Sequence, residues 1–204
     1  MKVLVFNQEY HFASNMYLVY SGNEAAIIDP SLKYSFAGDA IEQNGLTVKY
    51  IIVTHAHFDH ILEIDEWVEK TGAKVIVGRD DALALSNSRL NCYWKFFHKE
   101  KGYFGKFTAV DDGDRLWLGD ESFTVITSPG HTKGSIVLEN KSLLFSGDVI
   151  FAEGAFGRYD LPGGDVYQLR ASIDKLCGLD EELTVYPGHG QTTTIKEYKL
   201  YRRI

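Results

Sequence analysis

The segment Thr54-His55-Ala56-His57-Phe58-Asp59-His60 gathers three imidazoles and a carboxylate into six consecutive residues. Imidazole is the commonest protein metal ligand, and neither a packed core nor a solvated face accounts for such a density of it. A fold that uses this segment must end a rigid element just before it, so that the rings are aimed rather than loose. The run Val48–Val53 supplies that element: it reads as a strand buried on both faces, with the histidines at its carboxyl end.

Three further segments share the same character. They are Ser128-Pro129-Gly130-His131-Thr132, Phe145-Ser146-Gly147-Asp148 and Tyr186-Pro187-Gly188-His189-Gly190. Five of the seven histidines lie in these motifs, and each motif residue follows a predicted strand beside a glycine. Strand-end loops are where a rigid scaffold displays functional groups. Five imidazoles with Asp59 and Asp148 suffice for two divalent ions. Imidazole with a minority of carboxylate suits zinc, iron or manganese better than calcium or magnesium. A carboxylate between two such ions bridges a separation of about 3.5–4 Å, and the ions bring the pKa of a bound water to about 7. A tight turn offers His55 and His57 to one ion and Asp59 and His60 to its neighbour.

Around these motifs, strands are expected at Lys2–Phe6, Met16–Tyr20, Ala25–Ile28, Lys74–Val77, Leu116–Leu118, Ser122–Thr127, Ser135–Glu139, Ser142–Ser146 and Leu183–Tyr186. Helices are expected at Lys33–Asn44, His60–Lys70, Arg79–Ser86, Val166–Cys177 and Ile195–Arg202. A β-rich pattern capped by helices occurs twice. That predicts an α/β fold of two sheets packed face to face with helices outside, and one domain over residues 1–204. The segment 87–107 stands apart, with seven aromatic residues and five Lys or Arg against one Glu. It reads as a packed helix with a surface loop, a lid over substrate, or a dimer contact.

Composition narrows the partners. A formal charge of −7 speaks against a nucleic-acid backbone, and no apolar run reaches membrane-spanning length. Cys92 and Cys177 have no paired spacing, so reduced thiols and a cytoplasmic location are expected. The expected partner is a small molecule, with a homodimer as a further option.

Taken together, the HxHxDH segment followed by a later His, Asp and His resembles the metallo-β-lactamase superfamily. The resemblance implies a four-layer αββα sandwich with its metal site at one edge of the two sheets. Carried over by position, it implies that His55, His57 and His131 bind one metal and Asp59, His60 and His189 a second, with Asp148 bridging. Two divalent ions are implied, zinc foremost, with iron or manganese as alternatives. The downstream half is similar to the glyoxalase II group, through Leu144-Phe145-Ser146-Gly147-Asp148, the stretch Phe156–Asp165, and Val185–Gly190. The implied activity is hydrolysis of thioesters or related acyl esters by metal-bound hydroxide, with Asp59 catalytic and Arg158 and Lys133 as substrate contacts. A mononuclear-iron persulfide dioxygenase shares the fold and is the alternative, as is a lactonase. Glyoxalase II proper carries a C-terminal helical domain that helps hold glutathione. Here the sequence given ends about 15 residues after His189.

Overall fold

The computed structural model describes residues 1–7 and 12–202; the domain range 1–204 read from the sequence also takes in residues 8–11 and 203–204, which lie outside the described residues. Two six-stranded sheets form the centre. The first holds, in spatial order, β1 (Lys2–Phe6), β2 (Met16–Ser21), β3 (Glu24–Ile28), β4 (Thr47–Val53), β5 (Lys74–Gly78) and β6 (Phe107–Val110). The second holds β7 (Arg115–Leu118), β8 (Glu121–Thr127), β9 (Ile136–Asn140), β10 (Leu143–Gly147), β11 (Thr184–Pro187) and β12 (Thr193–Thr194), again in chain order.

Side-chain alternation sorts these strands into layers. Tyr17, Val19, Ile28, Ile52 and Ile76 of the first sheet meet Phe123, Val125, Leu138 and Phe145 of the second in one buried core. Their neighbours Met16, Leu18, Ile27, Ile51, Val53, Val75 and Val77 face the other way. There they pack against Ile41 of α1 (Gly38–Gln43) and Ile64 and Trp67 of α2 (Ile64–Thr71). On the far side of the second sheet, Ile126, Val137, Leu144 and Val185 pack on Leu169, Ile173 and Leu176 of α4 (Val166–Cys177) and Tyr198 of α5 (Ile195–Tyr201). The layering is therefore helix, sheet, sheet, helix, as expected. A short α3 (Tyr93–Phe97) lies in the aromatic segment between β5 and β6.

Strand direction brings the chemistry to one edge. β3, β4 and β5 are mutually parallel, so Asp29, Thr54–His60 and Asp81 all follow carboxyl ends on the same side of the first sheet. In the second sheet β10 and β11 are parallel, and β8 runs the same way because two antiparallel steps separate it from β10. The loops carrying His131, Asp148 and His189 therefore leave from one end. Ligands of α/β proteins lie at such carboxyl ends.

Several expected elements differ. The helix at Lys33–Asn44 is a 3-10 turn, Tyr34–Phe36, followed by α1, because Ala37 has non-helical torsions (φ −121°, ψ −6°). The Tyr34 ring occupies the space a Cβ on Gly38 would need, 2.7 Å from its Cε1. The helix at Arg79–Ser86 is two separate 3-10 turns, and that at His60–Lys70 starts only at Ile64. Strands β6 and β12 were not foreseen; each is short and lies at a sheet edge. Among the described residues no helix is long and apolar enough to cross a membrane.

Candidate metal centre

All seven residues implied as ligands meet at this edge. His57 Nδ1 lies 2.9 Å from His131 Nε2, which in turn lies 3.1 Å from His55 Nε2. On the other side His189 Nε2 lies 3.1 Å from Asp59 Oδ2, and His60 Nε2 lies 3.8 Å from that same oxygen. Asp148 stands between the two groups, with Oδ1 3.4 Å from His60 Nε2 and Oδ2 3.6 Å from His131 Nε2 and 3.7 Å from His189 Nε2. The donor atoms of His55, His57 and His131, and those of Asp59, His60 and His189, each lie within 4.8 Å of one another.

Hydrogen bonds behind the rings decide what these short distances mean. His131 Nδ1 donates to the carbonyl oxygen of Arg158 at 2.7 Å, leaving a lone pair on Nε2. His60 Nδ1 donates to Asp29 Oδ2 at 2.9 Å, so its Nε2 faces inward and offers a lone pair once deprotonated. The Thr54 hydroxyl donates to Asp29 and is left to accept from His55 Nδ1 at 3.3 Å. Lone pairs of His55 and His131 thus confront each other at about 3 Å, which is repulsive unless a cation sits between them. A tetrahedral ion bound at about 2.0–2.1 Å by nitrogen holds its donors roughly 3.3 Å apart. His60 Nε2 and Asp148 Oδ1, both buried, have no hydrogen-bond partner. The donor set, with imidazole in the majority and carboxylate in the minority, fits a divalent metal ion.

Charge follows from the same geometry. Burial, reinforced by His60 and His131, pushes His55 well below the usual histidine range, and burial with His131 beside it takes His57 down to about 3. Burial would also lower His60, but Asp29, Asp148 and Asp59 outweigh it and raise it. Burial opposes ionisation of Asp148, yet His60, His189 and His131 hold it below the carboxylate range.

Two residues that the motifs did not reveal hold the loops. Asp29, at a left-handed φ of 54°, accepts from the Thr54 amide and hydroxyl, both at 2.8 Å. Asp81 is buried and accepts from the Ala56 amide (2.9 Å), the Thr132 hydroxyl (2.8 Å) and the Gly134 amide (2.8 Å). It therefore ties the His55–His57 loop to the His131 loop. Asp29 follows β3 directly and Asp81 lies three residues past β5, and a place just beyond a strand is the one sequence signal that marks them. Glycine permits the close packing: a Cβ on Gly188 would sit 2.1 Å from Asp148 Oδ1, and one on Gly157 would sit 1.9 Å from the Asp148 carbonyl oxygen.

The centre opens into a cleft of about 290 Å³. Arg158 lines it, but its guanidinium is forked onto Asp160 by two bonds of 2.7 Å. Lys133 does not line it. Thr132 turns inward to Asp81, and its neighbour faces an adjoining groove with Asp80, Leu83 and Pro162. The segment 87–107 forms one wall, with Cys92 and Phe96 against the cleft and Tyr93, Phe96 and Phe97 packed around Phe58.

A family model, that of the Metallo-beta-lactamase superfamily, matches residues 10–189. The chain belongs to that superfamily. A probable metallo-hydrolase of Bacillus subtilis is 32% identical over 185 residues, which are 89% of this chain and 87% of the relative. Among solved structures, a protein in a di-iron-bound form superposes with a TM-score of 0.84 at 29% identity, covering 99% of this chain and 98% of the other. The BLEG-1 B3 metallo-beta-lactamase gives 0.83 at 32% identity, covering 90% of each chain. ETHE1 from Myxococcus xanthus gives 0.79 at 27%, covering 98% and 83%. The similarity thus takes in a probable metallo-hydrolase, a B3 metallo-beta-lactamase and ETHE1, and with the donor set it supports a metallo-hydrolase.

Proposed function

We propose that the chain hydrolyses thioesters or related acyl esters at a two-metal centre, in the manner of the glyoxalase II group. The observation that carries this reading is the pair of complete donor triads on either side of Asp148 at the floor of an open cleft. In this reading His55, His57 and His131 hold one ion and Asp59, His60 and His189 the other, with Asp148 shared. Divalent ions so held polarise an acyl oxygen and make water acidic enough to be a nucleophile near neutral pH.

The chain's own residues supply the rest. His131 and His60 are kept in their binding tautomers by the Arg158 carbonyl and by Asp29, and such outer bonds fix ligand orientation. Asp59 lines the cleft, and burial, which raises its pKa, is overcome by His60 and His189. It is ionised at neutral pH and positioned to accept the proton of the attacking water. The new C–O bond forms, the C–S or C–O bond to the leaving group breaks, and the proton held by Asp59 passes to the departing sulfur or oxygen, releasing an acid and a thiol or alcohol. No side-chain nucleophile is needed. Burial drives the thiol of Cys92, which lines the cleft, up to about 11.

A persulfide dioxygenase is the second reading, favoured by the similarity to ETHE1. As that group uses one iron held by three ligands, the second triad of Asp59, His60 and His189 counts against it. A lactonase would use the same site. The experiment is a panel of thioesters, lactones and a persulfide, offered to protein loaded in turn with zinc, manganese and iron. Thioester hydrolysis is expected. Oxygen uptake with the persulfide and no hydrolysis would overturn the reading.

A further inference from the structure

We infer that the cleft takes a neutral, apolar acyl group rather than an anionic one; this names the substrate class of the hydrolase reading above and rests on it. The wall above the donor atoms includes Phe12, Phe58, Phe96, Phe151 and Leu161, and Leu161 packs with Phe58 and Cys92. Phe12 is 67% and Phe96 44% exposed, so two large rings at the mouth keep water that an apolar ligand would displace. The wall is braced rather than loose. Phe58 lies 5.4 Å, centroid to centroid, from both Phe96 and Phe97, and Phe97 meets the edge of Phe12 at 5.9 Å.

Charge points the same way. Among the described residues Arg158 is the one Lys or Arg on the wall, and both oxygens of Asp160 already occupy its fork. Lys133 faces the adjoining groove. Among the described residues, an anionic acyl chain reaching past the donor cluster finds no unpaired cation on the wall. An uncharged hydrocarbon or aromatic chain needs none and covers the rings. Apolar burial then makes each added methylene worth about fourfold in binding.

The test uses the full chain, metal-loaded, with thioesters of one neutral thiol, N-acetylcysteamine. The acyl groups are acetyl, butanoyl, hexanoyl, phenylacetyl and succinyl. The kcat/KM is expected to rise about fourfold per methylene from acetyl to hexanoyl, with phenylacetyl also high and succinyl no better than acetyl. Phe96→Ala should flatten that slope while metal content stays the same. Trp117→Ala, on β7 and outside the cleft, should keep it. Phenylacetamide, which is neutral and cannot turn over as a thioester, should bind saturably by calorimetry and lose affinity in Phe96→Ala. A flat acyl profile with good turnover, or a preference for succinyl, would overturn this inference and leave the hydrolase reading standing. No turnover of any member would sink the hydrolase reading instead. Phenylacetamide binding then decides the cleft alone: saturable binding upholds its apolar preference, and none overturns it.

Discussion

Asp29 Oδ2 stands 2.9 Å from His60 Nδ1, behind the donor cluster and away from the cleft. The same carboxylate takes the amide and hydroxyl of Thr54, so one side chain sets both a ring tautomer and the start of the histidine loop. Asp29→Ala should therefore weaken metal retention by about ten- to a hundredfold without removing a ligand. Competition with a graded chelator measures this. Wild-type retention would mean that the loop holds its shape unaided.

Asp148→Ala takes the shared carboxylate from between the two triads. Elemental analysis of wild-type protein after loading should find two ions per chain, with fewer in the variant and activity lost. Two ions per chain in Asp148→Ala would rule out a shared role, and one in the wild type would move weight to the single-iron reading.

Gly188→Ala inserts a methyl group 2.1 Å from Asp148 Oδ1 and 2.7 Å from His60 Cε1. Relieving that overlap should cost about 1–3 kcal/mol and displace the bridging carboxylate. A lower Tm together with reduced metal content is expected. If only Tm falls, the carboxylate tolerates the shift.

Arg158→Ala removes a guanidinium already engaged by Asp160, but not the carbonyl that holds His131. Exposed ion pairs contribute little to stability. The kcat/KM should change by less than about threefold on neutral and anionic thioesters alike. A loss above tenfold confined to anionic substrates would make Arg158 their anchor after all.

The thiols give a pH test. Burial raises both Cys92, to about 11, and Cys177. A raised thiol pKa means less thiolate at a given pH, about one part in a thousand for Cys92 at pH 8. Alkylation by iodoacetamide at pH 8 should be slow on the folded protein, rise with pH, and become fast for both thiols in denaturant. Rapid labelling of Cys92 in the native state would contradict its burial.

The sequence pattern carried most of this. Val166–Cys177 was legible to the residue because Leu169, Ile173 and Leu176 repeat at helical spacing and Asp165 caps the first turn with bonds to Tyr167 and Gln168. The clustering of the motif histidines was legible because His55, His57 and His60 fall with Asp59 within one short segment. Asp29 and Asp81 were not, since a lone aspartate after a strand looks like any turn residue and its partners lie 25 to 53 positions away. Lys33–Asn44 misled because its composition suits a helix, while the break at Ala37 and the ring of Tyr34 against Gly38 are local backbone details that hydrophobic spacing does not report. Arg158 was singled out for its side chain, whereas the contact that reaches the centre is its carbonyl.

The edge away from the centre has a different character. The turns at Ser21–Glu24, Gly119–Asp120 and Asn140–Ser142 join antiparallel strands there, and Gly45 and Gly72 lead into β4 and β5 from the same side. None of these residues lines the cleft or contributes a donor to the cluster. Two of these turns also fasten the sheets together, the Gly119 amide donating to Glu24 Oε2 at 2.9 Å, so one edge holds the sandwich closed while the loops of the other can change without loosening it.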